Sequence, residues 1–103
     1  ILPFFSGERS PGYNDDATAC VLGLRRSTTR AQLVRAGLES VCLRLAAVVD
    51  LMTGGGGDGA DVVTSGNAFA ASPFLRQVLA DSLGRTVRAS GVTEETSLGV
   101  AVL

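Results

Sequence analysis

The residues best placed to bind a ligand lie between Ala60 and Val87, in the stretch ADVVTSGNAFAASPFLRQVLADSLGRTV. The apolar pair Val62-Val63 runs into Thr64-Ser65-Gly66-Asn67. A loop of small residues follows, and then Ser72-Pro73 opens a helical pattern. A strand, a glycine turn and a helix start in this order bring backbone N–H groups and the positive end of a helix dipole to one opening. Such an opening suits an anion or a nucleotide, with Gly66 and Asn67 as the candidate contacts. On the residues alone, a plain strand-to-helix turn explains the same pattern.

Other chemistry is thinly represented. The chain has no His, which removes the commonest general base and metal ligand. Cys20 and Cys42 sit in apolar settings, TACVLGL and ESVCLRL, and read as buried free thiols rather than a zinc pattern. Asp15, Asp16, Asp58 and Asp61 fall in loop-like sequence and read as ordinary turn acids. Glu8 and Arg9 read as a surface ion pair in a solvated loop. The run GGGGDG over 54–59 follows a helical pattern and precedes a strand. A phosphate loop needs the reverse order and a Gly-Lys-Ser/Thr, so this run reads as a flexible connection.

The elements that must hold the turn are legible around it. Residues 1–5 (ILPFF) and 17–24 (ATACVLGL) read as strands, with a loop of Gly, Pro, Asn and Asp over 6–16 between them. Pro3 places the first strand at an edge or at its own start. Thr29-x-x-Gln32 forms a capping box. Behind it Val34, Leu38, Val41, Leu45, Val48 and Met52 recur at spacings of four and three, one apolar face of a long helix ending at Thr53-Gly54. Arg35 and Glu39 can pair on that helix. Gly37 weakens it by roughly 1 kcal/mol relative to Ala, which a close helix contact would offset. Over 72–83, Ser72 caps, Pro73 starts and Gly84 stops a second helix with Phe74, Leu75, Val78, Leu79 and Leu83 on one side. Residues 85–89 (RTVRA) read as a strand and Ser90-Gly91 as a turn. Thr93 caps a third helix with Glu94 and Glu95 in its first turn. Alternating strands and helices mean a layered α/β fold, whose ligands sit at the carboxyl ends of the strands.

The bulk properties set limits. A chain of 103 residues, 46% hydrophobic, is one small domain or a piece of a larger one. Net charge is −1 and all nine basic residues are Arg, which speaks against nucleic acid or an anionic membrane as partner. No apolar run reaches membrane-spanning length, and no signal peptide is visible. The cytoplasm is the expected location. Both ends lie inside apolar segments, so the chain reads as a fragment.

Four stretches together resemble the C-terminal domain of the FGGY carbohydrate kinases, nearly end to end. LPFFSGERSPGY (2–13) is similar to a Ser-Gly-Glu-Arg-Ser/Thr-Pro loop. GLRRSTTRAQLVRAGLE (23–39) is similar to the C-terminal signature, with Gly37 a mild departure. SGNAFAASPFLRQVLADSLGRTV (65–87) resembles the Gly-Gly turn and the helix after it, and ETSLGVAVL (95–103) the final helix. The resemblance implies an actin-like, ribonuclease-H-like ATPase fold, here as part of a C-terminal domain. It implies a longer polypeptide whose absent N-terminal domain supplies the catalytic Asp and most sugar contacts, so these residues alone are expected to be inactive. By position Gly66 and Asn67 match the turn against the nucleotide, and Ser72 falls near an adenosine contact. Asn67 replaces the second Gly, and Asn tolerates positive φ better than most residues. The implied cofactors are ATP and Mg2+, and the implied reaction is phosphoryl transfer to a sugar or sugar-acid hydroxyl. The wording GERSPGY favours gluconate, then xylulose, as substrate. A homodimer is consistent with the family; nucleic-acid and membrane partners are not expected. The alternative is a non-catalytic α/β binding or interaction domain. A dinucleotide oxidoreductase would need G-x-G-x-x-G where only Gly66 stands.

Overall fold

The structure is a computed structural model that describes residues 1–55, 61–92 and 95–102. Helix α1 spans Arg30–Thr53, β1 Val62–Thr64, α2 Asn67–Ala71, α3 Pro73–Leu83, β2 Val87–Ala89 and α4 Glu95–Val102.

Local sequence signals set the helix ends. Gln32 N–H donates to the Thr29 hydroxyl at 3.3 Å, and Thr29 N–H donates to the Gln32 side-chain oxygen at 2.8 Å, which completes the capping box. Gly54 closes α1 in the left-handed region at φ 64°, as Gly84 closes α3. Leu75 N–H donates to Ser72 Oγ at 3.1 Å, and Pro73 is the first residue of α3. The cap expected at Thr93 and the glycines 56–59 lie outside the described residues.

Strands β1 and β2 pair in parallel, Val62 with Val87 and Thr64 with Ala89, forming a two-stranded sheet among the described residues. The second strand is shorter than the expected 85–89. The core lies where α1 crosses α3. Cys42, Val78 and Leu79 are buried, with Phe69, Leu75, Leu83 and Val87 packed against them.

Four expectations fail for physical reasons. Residues 1–5 and 17–24 do not form strands; they meet in one antiparallel bridge, Leu2 with Cys20, through bonds of 2.8 and 3.1 Å. Pro3 has no N–H to extend that ladder. The apolar stripe of α1 is not the core face. Val34, Val41, Leu45 and Met52 are exposed, while Ser40, Cys42 and Ala46 are buried, because α3 packs on the adjacent side. Gly37 gains no close helix contact, since a Cβ there would meet nothing within 4 Å. The small-residue loop after Gly66 is partly the short helix α2.

Candidate functional site

The turn sits where the sequence puts it, at the carboxyl end of β1, and β2 ends beside it. Thr64, with 7% of its surface exposed, ties the two ends together. Its hydroxyl donates to the Arg88 carbonyl at 3.2 Å, and its own carbonyl accepts from Ser90 N–H at 2.8 Å. Both strands therefore stop at the same level, and the chain leaves each of them through a small polar residue.

Gly66 makes the departure from β1 feasible. Its backbone stands at φ 88°, ψ 157°, a region reserved almost wholly for glycine. Its carbonyl accepts from Ala70 N–H at 3.0 Å, which closes the first turn of α2. A Cβ on Gly66 would meet nothing within 4 Å, so the outer face of this backbone is open to a ligand. A notch of about 50 Å³ lies over the strand ends, lined by Ser65, Gly66, Asn67, Ala70, Ser90 and Val92 among others. It is a shallow recess that could seat one part of a nucleotide rather than enclose all of it.

Of the three sequence-derived candidates, the structure brings Gly66 and Asn67 together in this notch. Ser72 lies beyond α2, outside the lining, and its hydroxyl accepts from Leu75 N–H in the first turn of α3. Arg76 reaches back from α3 to the carbonyls of Phe69 and Ala70, fixing the short helix from its C-terminal side. Gln77 pairs with Asp81 on its own helix, at 2.8 Å. Sequence reasoning missed Ala89, Ser90 and Val92. The Ser90-Gly91 turn was the available signal, once β2 is known to lie beside β1.

Asp61 pairs with Arg88 across the two strands, with both side chains largely exposed. Asp15 and Asp16 are exposed in the N-terminal loop, and Asp58 lies outside the described residues. Glu8 does not pair with Arg9. It pairs with Arg44 of α1, which also donates to the Ser10 carbonyl at 2.9 Å and stands 5.4 Å from the Phe4 ring centroid. With side chains only 17% and 29% exposed, this pair is shielded, and it pins the 6–16 loop to α1. Among the described residues no group of three His, Cys, Asp or Glu could hold a metal ion. None of their helices is long and apolar enough to cross a membrane. Burial pushes the Cys42 thiol pKa up, and Cys20 and Cys42 are both free.

Comparison with known proteins adds the family. The FGGY family of carbohydrate kinases, C-terminal domain, matches residues 1–103. A glycerol kinase of Nitrosomonas eutropha is 33% identical over 103 residues, covering 100% of this chain and 21% of its own length. Glycerol kinases of Thermus brockianus and Mycobacterium tuberculosis are 37% and 36% identical over 101 residues, 98% of this chain and 20% of theirs. The chain thus spans about a fifth of the length of the curated relatives it matches.

Proposed function

The chain belongs to the FGGY family of carbohydrate kinases as part of their C-terminal domain, a component of an actin-like ATPase fold, and on that premise we propose that it is the nucleotide-facing lobe of an ATP-dependent kinase. The observation that carries the reading is the open glycine turn at the paired ends of two parallel strands, with Gly66 and Asn67 lining one notch. Ligands of open α/β sheets sit at such ends.

The proposed acceptor is glycerol or a close polyol. The relatives are named glycerol kinases, which removes the support for gluconate or xylulose drawn from GERSPGY. ATP with Mg2+ supplies the phosphoryl group. In this reading the chain's own part is binding and positioning. The Gly66 backbone lets the nucleotide approach closely, Thr64 keeps the two strand ends level, and Ser72 and Arg76 hold α2 and α3 in place behind the turn. Ser72 is retained as a proposed adenosine contact, since a hydroxyl that accepts from Leu75 N–H still has a proton to donate. The described acids offer no catalytic carboxylate or metal site, so the proposed base and Mg2+ ligands belong to the N-terminal domain. The same reading puts the enzyme in the cytoplasm, where ATP is supplied.

The test is ADP release by the full-length protein with Mg-ATP and, separately, glycerol, gluconate and xylulose. Turnover with glycerol is the expected result. Turnover with gluconate or xylulose and not glycerol would overturn the substrate assignment, and no turnover with any polyol or sugar would count against the kinase reading.

A further inference from the structure

We propose that residues 6–16 form a strap latched to α1 by Arg44, and that this strap opens as one unit while the contact between α1 and α3 stays closed. The inference is independent of the nucleotide reading. The strap first closes on itself. Glu8 N–H donates to the Asn14 carbonyl and Tyr13 N–H to the Arg9 carbonyl, each at 2.8 Å. Asp16 N–H donates to Asn14 Oδ1 at 3.1 Å, and Ala17 N–H to the Asn14 carbonyl at 3.2 Å. Two glycines permit this close folding. A Cβ on Gly7 would stand 2.8 Å from the Asp15 carbonyl oxygen, and one on Gly12 would stand 2.4 Å from the Glu8 carboxylate. The carboxylate that meets Arg44 is therefore seated against Gly12.

The strap has little apolar anchorage, since Pro11 and Tyr13 are both exposed. Among the described residues, its hydrogen bonds and ion pairs to elements outside residues 1–24 all come from Arg44, which meets the Glu8 carboxylate and the Ser10 carbonyl. The same guanidinium lies over the Phe4 ring on the near flank. A segment this short, with only its own few backbone bonds, does not offset the entropy of ordering it. Losing the latch therefore frees the whole strap. The core does not share that dependence, because Cys42 packs with Val78 and Leu79 of α3. Local opening of one such unit needs far less free energy than global unfolding. Glu8 and Arg9 wall a groove of about 240 Å³ whose other sides include Phe4, Val41 and Leu45. Opening the strap uncovers that apolar surface, so Arg44 acts as the catch of a gate over the groove.

The experiment is native-state hydrogen exchange of the full-length protein, read by mass spectrometry on peptides covering residues 6–17 and 75–83. Wild type is compared with Arg44→Gln, Arg44→Lys and Gly12→Ala. In Arg44→Gln the 6–17 peptide should exchange about tenfold faster, the effect of losing one charge-assisted bond, while the 75–83 peptide keeps its wild-type rate. Arg44→Lys should fall between the two, because an ammonium lacks the planar fork that meets two acceptors. Gly12→Ala displaces the Glu8 carboxylate and should repeat the Arg44→Gln result; it also serves if Arg44→Gln does not fold. Wild-type exchange over 6–17 in folded Arg44→Gln would mean that the strap is held by other contacts. Equal acceleration of both peptides would mean that the strap has no motion of its own. Either result overturns the inference.

Discussion

At the scale of single residues, Gly66 carries the most consequence. Its backbone conformation costs any side-chain-bearing residue about 1–3 kcal/mol, and a β-branched side chain is the worst case. Gly66→Val in the full-length protein should therefore raise KM for ATP several-fold while KM for the acceptor holds; equal KM for ATP in both proteins would contradict the role assigned to the turn. The cause is backbone strain, since no neighbour within this chain would clash with the new Cβ. Cys42 gives a pH signature. Burial raises its pKa in the folded state, so folded and unfolded thiols are both neutral below about pH 8.5. Above that the unfolded state loses its proton first, binds fewer protons than the native state, and stability falls as pH rises toward the folded pKa. The urea midpoint of the chain should drop between pH 7 and 9.5, and Cys42→Ala should flatten that drop. Gly66, Asn67 and the buried Cys42 were all legible in sequence because each is signalled by its immediate neighbours. The partner of Glu8 was not. Arg44 lies on another element, and nothing near Glu8 points to it.

At the scale of elements, what could be read locally was read correctly. Thr29-x-x-Gln32, Ser72-Pro73, Gly54 and Gly84 fix helix ends through bonds within a few residues, so the sequence displays them directly. What depends on neighbours was misread. The spacing of Val34, Leu38, Val41, Leu45, Val48 and Met52 identifies an apolar face, but periodicity does not say which face α3 covers. Residues 67–71 resemble a loop because Asn, Ala and Phe give no helical period in five positions, and the Arg76 contacts that hold them come from the next helix. Ser72 separates a structural role from a functional one. Ser72→Ala should cost about 1 kcal/mol through loss of the cap. Ser72→Asp keeps a cap acceptor and should recover most of that loss in urea unfolding. If the Asp variant is stable yet binds ATP as well as wild type, Ser72 acts on α3 alone.

At the scale of the whole molecule, the chain is extended. Its radius of gyration is 15.7 Å and its extents are 52 × 29 × 29 Å, against about 13 Å for a compact chain of 100 residues. The buried apolar set among the described residues is Cys42, Ala46, Val78 and Leu79, while Phe5, Leu22 and Met52 are each about four-fifths exposed, at 80%, 78% and 81%. So little core suits a lobe that works beside other parts of a longer polypeptide. It also explains why whole-fold reasoning from the pattern was partial. The sheet expected from residues 1–24 needs neighbours to pair with, and here it is reduced to the Leu2–Cys20 bridge. Photolabelling of the full-length protein with 8-azido-ATP, with and without excess Mg-ATP, followed by tryptic mapping, tests whether the glycine turn faces the nucleotide. Cleavage after Arg44, Arg76 and Arg88 isolates the turn in peptide 45–76 and the end of β2 in the peptide that begins at Ala89. If the turn faces the nucleotide, label appears in one or both of these peptides and is suppressed by Mg-ATP. Competed label confined to other parts of the polypeptide, with both peptides unmodified, would contradict it.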